Sequence, residues 1–142
     1  MIIDIDHINI VVSSMDKTLE FFNLFGFEQK ETAILEGDWI SELTCTDNVS
    51  MEYAMLMLPN SNISIQLAKY NSPASETADI NSKASTIGYR HIALKVVDLE
   101  KEYNRLKKHN IIFNSKPYQR GNKKLVYFTG PDNIIMELAE YL

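Results

Sequence analysis

From His7 to Val12 apolar and polar side chains alternate (HINIVV), with Ile8, Ile10 and Val12 on one side, and the alternation returns from His91 to Val96 (HIALKV). Period two predicts a strand with one apolar face. Directly afterwards the period changes. Met15, Leu19 and Phe22 in the first copy, and Leu99, Tyr103 and Leu106 in the second, are spaced i, i+4, i+7, which is one face of a helix. The two stretches superpose without a gap at a shift of 84 residues, His7 onto His91. A second repeat follows at a shift of 71, where NISIQLAKY (62–70) and NIIMELAEY (133–141) share Asn, Ile, Leu, Ala and Tyr. The first copy is therefore 13 residues longer between its His and its last strand, and the excess is expected as a loop or longer hairpin within 36–50.

Local signals fill in each copy. Ser13 or Ser14 and Asp98 stand where an N-cap side chain would satisfy the free N–H groups of a first helical turn. Gly26 and Asn110 hold matching stop positions. Strand-like runs follow: FEQKETAIL, VSMEYAMLML and ISIQLAKY in the first copy, IIFNS, KLVYF and IIMELAEY in the second. Each copy reads βαβββ. The chain is one domain of two modules, 1–70 and 89–142, joined by a Ser, Asn, Thr and Ala-rich linker at 71–88. TGPDN before the last strand suits a type I turn.

Alternation also sorts the chemistry. With Ile8, Ile10, Ile65, Leu67, Ile92, Leu94, Met136 and Leu138 turned toward the helices, the opposite faces carry His7, Asn9, Ser64, Gln66, Ala68, His91, Ala93, Glu137 and Ala139. Polar groups among short side chains are what a ligand-binding concavity needs. Glu52 and Ala54 are placed with the more polar face of their strand. His109, after Lys107 and Lys108 in the last turn of its helix, is structural, as a cation there favours the helix dipole. Trp39 and Met51, Met55 and Met57 suit a pocket wall or the core equally.

Composition excludes several classes. At 142 residues, 45% hydrophobic and 23% charged, the chain can bury a core and is neither disordered nor fibrous. A formal charge of −5 argues against a nucleic-acid partner, and Arg120, Lys123 and Lys124 in YQRGNKKLVY are accounted for by a solvated turn. Cys45 has no second cysteine to pair with, and no run of 18 apolar residues or apolar leader is seen, so a cytoplasmic protein without a membrane partner is expected.

DHINIVVSSMDKTLEFF, RHIALKVVDLEKEYNRL and YFTGPDNIIMELAEY together resemble the repeated module of the vicinal oxygen chelate superfamily, which includes glyoxalase I, methylmalonyl-CoA epimerase, extradiol dioxygenases and fosfomycin or bleomycin resistance proteins. The resemblance covers nearly the whole chain. It implies an α+β fold in which two tandem βαβββ modules form a cupped, partly open eight-stranded mixed sheet with helices outside. It also implies one divalent metal held by His7, Gln66, His91 and Glu137, a donor set that suits Zn²⁺, Ni²⁺, Co²⁺, Mn²⁺ or Fe²⁺ alike. The implied activity is a glyoxalase-type lyase or isomerase, which moves a proton on the carbon beside a carbonyl through a metal-stabilised enolate. Glu137 would be a base as well as a ligand, and Glu52 is the candidate second base. Gln66 cannot be one, which brings the pattern nearer to the epimerase than to glyoxalase I. A coenzyme A substrate would need the cations at Arg120, Lys123 and Lys124. The same family implies two alternatives, an Fe(II) extradiol dioxygenase using His7, His91 and Glu137, and a resistance-type protein that binds a small molecule without chemistry. The modules pair within a chain or across a homodimer.

Overall fold

A computed structural model describes residues 1–76 and 83–142, and the chain divides into two compact units, Met1–Ala78 and Asp79–Leu142. Unit 1 runs β1 (His7–Val11), α1 (Met15–Asn23), β2 (Glu28–Glu36), α2 (Asp38–Thr44), β3 (Ser50–Met57), β4 (Ser64–Ser72). Unit 2 runs β5 (His91–Lys95), α3 (Leu99–Lys108), β6 (Tyr118–Arg120), β7 (Lys123–Thr129), β8 (Ile135–Tyr141). Both build a four-stranded mixed sheet of one topology, β1-β4-β3-β2 and β5-β8-β7-β6. The first strand lies parallel to the last, and the remaining pairs are antiparallel. The fold is α+β, with two tandem βαβββ modules.

The helices start where the sequence marks them. Ser14 Oγ accepts from the Lys17 amide at 3.4 Å and Asp98 Oδ1 from the Lys101 amide at 3.0 Å, each satisfying an N–H that the first turn leaves open. Glu140 adds Oε2 to the Leu99 amide at 3.1 Å, tying the start of α3 to β8. Both helices end on a left-handed residue, Gly26 (φ 83°) and Asn110 (φ 61°). α1 buries Met15, Thr18, Phe21 and Phe22 on the β4 side that carries buried Ile65 and Leu67. α3 buries Leu99 and Leu106 over Met136 and Leu138 of β8.

Three details depart from the sequence pattern. The 13-residue excess of the first module contains a helix, α2, rather than a loop or longer hairpin. Seven residues, DWISELT, are too few to display a helical period, and Gly37 (φ 97°) turns the chain from β2 into them. Ile40 of α2 then packs with Val49, Met51 and Ala68, flanked by Leu35 and Tyr70, over one end of the sheet face that carries Gln66. IIFNS forms only an isolated bridge, Phe113 to Phe128, because the Phe113 ring is taken up between Tyr103 (4.5 Å) and Phe128 (5.3 Å); the edge strand is Tyr118–Arg120. In TGPDN, Pro131–Asn133 make a short 3-10 turn with Asp132 and Asn133 left-handed. β4 continues through Ser72 into the expected linker, of which residues 77–82 lie outside the described residues.

Candidate functional site

In unit 2 the register fixes which side chains share a face. Ala93 lies beside Glu137 and Lys95 beside Ala139 across β5 and β8; Tyr127 lies opposite Glu137, and Lys123 opposite Tyr141, across β7 and β8. His91, one alternation before Ala93, is on that face too. Glu137 is 4% exposed, an unusual position for a carboxylate. Its Oε2 is 3.4 Å from His91 Nε2, and its Oε1 is 3.0 Å from Lys123 Nζ. Oε1 is thus a buried acceptor whose close neighbour is the Lys123 ammonium. The close carboxylate holds Lys123 above the usual lysine range. Tyr127, whose ring centroid is 5.1 Å from that of His91, is pushed up by burial first and by the Glu137 charge next, which keeps its hydroxyl protonated.

Unit 1 repeats the scaffold with different groups. Gln66, half-buried, lies beside Asn9 of β1 and opposite Met55 of β3, while His7 lies beside Ser64. In both modules the His therefore precedes its Gln or Glu by the same diagonal step. His7 Nδ1 is 2.7 Å from Asp6 Oδ2 at the surface. With the proton of Nδ1 donated to Asp6, Nε2 keeps its lone pair for a ligand, the usual way in which a carboxylate orients a ligating imidazole. The DH dipeptide was the available signal for Asp6, and it has no counterpart in unit 2, where Arg90 precedes His91.

Glu52 is the expectation that the geometry corrects. It lies opposite Lys69, three positions from the Met55–Gln66 pair, and an odd number of steps places it on the α1 side of the sheet, away from Gln66. There Lys69 Nζ is 2.7 Å from Glu52 Oε1, and this hydrogen bond holds the carboxyl below its ordinary range. β3 alternates as expected but with the opposite phase, Met51 and Met55 sharing the face of Gln66 and Glu52 and Ala54 the other. Lys124 also leaves the polar face, with Nζ 3.9 Å from Glu140 Oε2 on the other side of β8. Cys45 is exposed at the left-handed end of α2.

Among the described residues no three His, Cys, Asp or Glu side chains gather in one cluster; unit 2 brings together the pair His91 and Glu137. That pair suits a divalent ion. An imidazole nitrogen and an oxygen of a buried carboxylate face each other at 3.4 Å. A cleft of about 850 Å³ lies elsewhere, between α2 and the loop before β3, and its acidic lining of Glu36, Asp38, Glu42 and Asp47 includes neither His7 nor Gln66.

The fold has a counterpart among known proteins. Residues 4–138 match the model of the Glyoxalase/Bleomycin resistance protein/Dioxygenase superfamily, and the chain belongs to that family. No curated protein matches it. Among solved structures it is similar to a glyoxalase family protein from Bacillus cereus (27% identity, TM-score 0.92, 100% of this chain and 96% of that one). It shares its fold with the fosfomycin resistance protein FosX from Listeria monocytogenes, solved with Mn(II) and a sulfate ion (18% identity, TM-score 0.64, 100% and 95% covered). The same holds for TnmS3, an antibiotic binding protein from a Streptomyces species (15% identity, TM-score 0.68, 99% and 98% covered).

Proposed function

We propose that the chain is a divalent-metal-dependent lyase or isomerase of the glyoxalase type, with His7, Gln66, His91 and Glu137 as the protein ligands and Glu137 as the group that moves the proton. The observation that carries this reading is Glu137, buried and 3.4 Å from His91 Nε2, at the position that the internal repeat equates with Gln66. A divalent ion there would polarise a substrate carbonyl and acidify the adjacent carbon. Glu137 accepts that proton and returns it. Tyr127, held protonated by burial and the Glu137 charge, is a neutral hydroxyl on the same face. Lys123 Nζ, 3.0 Å from Oε1, balances the charge of that buried carboxylate. Asp6, 2.7 Å from His7 Nδ1, favours the tautomer that leaves Nε2 for the ligand.

The test is a Mn²⁺ titration followed by electron paramagnetic resonance, together with proton exchange in anaerobic D₂O. The probes are the hemithioacetal of methylglyoxal with glutathione and a 2-methyl-branched acyl-CoA. Saturable Mn²⁺ binding that weakens in His91→Ala, with deuterium entering one of the probes, supports the proposal. Mn²⁺ affinity unchanged in both His7→Ala and His91→Ala refutes the site. A second reading, small-molecule binding without chemistry, is favoured by the Lys123 ammonium beside Glu137, which already neutralises that carboxylate. It predicts saturable ligand binding without exchange.

A further inference from the structure

The two modules can be compared position by position, and at one end of the Glu137 face they differ in kind. In unit 1 an Ala and a Tyr of the last strand, Ala68 and Tyr70, are flanked by Val11 on β1, Met51 on β3 and Leu35 on β2. These are apolar, and Ile40 of α2 packs with Met51 and Ala68, flanked by Leu35 and Tyr70, while Val11 stays exposed. In unit 2 the same register places Lys95 beside Ala139, Lys123 opposite Tyr141 and Arg120 opposite Lys123. Val, Met and Leu are replaced by three cations, and no helix stands between β6 and β7 to cover them. The Lys95 and Lys123 ammonium groups lie 5.4 and 5.6 Å from the centroid of the one Tyr141 ring, reaching it from β5 and β7.

Unit 1 shows that this backbone accepts apolar residues at all three positions, so the fold does not demand the charges. They are costly to bring together without an anion, since like charges on one face repel. Among the described residues Lys95 and Arg120 form no ion pair, and Glu137, shared with Lys123, is the one acidic side chain in contact with the group. Three positive charges thus face one negative in a chain whose net charge is −5.

We infer that this end of unit 2 is an anion-binding subsite, formed by Lys95, Arg120 and Lys123 around Tyr141, which takes a carboxylate or phosphoryl group of the substrate. The inference rests on the reading of Glu137 as the reaction centre and narrows its substrate to acidic molecules. Lys123 touches both places, so the anionic group sits toward the Tyr141 end of β8 from the carbon that reacts, and one ammonium senses both.

The test is a titration of chelator-treated protein with inorganic phosphate, methylphosphonate and acetate. Ionic strength is held constant with chloride, and amide shifts of β7 and β8 are read by NMR. Phosphoryl probes or acetate should saturate a single site, and the stronger of the two identifies the group. Lys95→Val with Arg120→Leu, the unit 1 residues, should weaken binding by roughly tenfold or more, since charge-assisted contacts are lost. The same variant should keep wild-type Mn²⁺ affinity and melting temperature. Lys95→Gln alone, weaker by a smaller factor, serves if the double variant does not fold. Shifts that chloride reproduces, or equal phosphate affinity in wild type and variant, overturn the subsite. Because Mn²⁺ is titrated separately, a protein that binds Mn²⁺ but no oxyanion loses this inference and keeps the reaction centre. Oxyanion binding without Mn²⁺ binding removes the metal reading instead.

Discussion

Ile40→Ala tests whether α2 is a structural lid on unit 1 or a loosely attached turn. Ile40 is 3% exposed and packs with Val49, Met51 and Ala68. Truncation removes three buried carbons at about 0.8 kcal/mol each, or about 2.4 kcal/mol of transfer free energy. Alanine's better helix propensity returns about 0.4 kcal/mol. A cavity adds to the loss, but a seven-residue helix at the surface can settle toward the sheet, so the cost stays near the low end for such truncations, about 2–3 kcal/mol. For a chain of this size that is a fall of about 5–10 °C in melting temperature. Urea unfolding gives the free energy directly, and Leu43→Ala on the same helix, at a position 73% exposed, is the control expected to change stability by less than about 0.5 kcal/mol. If Ile40→Ala costs no more than Leu43→Ala, α2 does not hold that end of the face. The contrast drawn between a capped unit 1 and an open unit 2 then fails as well.

Other outcomes follow from the site. At saturating Mn²⁺, Glu137→Gln should abolish proton exchange by about a hundredfold or more while retaining part of the metal affinity, read by separate titration of metal and turnover; full activity would remove Glu137 as the base. Gln66→Glu should keep Mn²⁺ binding and add a carboxylate in unit 1, and loss of Mn²⁺ binding would count against Gln66 as a ligand. Exchange should proceed without oxygen, and strict O₂ dependence with ring cleavage of a catechol would establish the dioxygenase alternative. Glu52 is held below its ordinary range by Lys69, so its contribution is present above the unfolded carboxylate pKa and is lost as pH falls through the lowered folded value. Glu52→Gln should flatten the acid limb of a stability–pH curve and leave turnover unchanged at neutral pH.

The repeat made the topology readable because both alternation and helical period are written twice, from His7 and from His91, so each copy checks the other. Where only one copy carries an element, that check vanished. α2 has no partner in the second module, and its length hides its period. Faces were legible on β1, β4, β5 and β8, where the alternation is strict. On β3 both faces are partly apolar, with Met51, Met55 and Met57 on one and Ala54 and Leu56 on the other, so hydrophobicity could not set the phase and Glu52 was misplaced. Lys123 illustrates a different limit. Its position beside Gly121 and Asn122 reads as a turn, and its reach along the strand over Ala139 to Glu137 depends on a side-chain path that no sequence pattern encodes.

The division of β8 has a practical consequence for altering this protein. Odd residues of the strand, from Glu137 to Tyr141, share a face with His91, Lys95, Lys123 and Tyr127, whereas Met136 and Leu138 are packed under α3 and Glu140 holds that helix by its first amide. Specificity and foldability are thus written on alternate letters of one short word. A library that randomises positions 95, 120, 123, 127 and 141 while fixing 136, 138 and 140 should explore new ligands at little risk to expression, and one built on the even positions should return mostly insoluble chains.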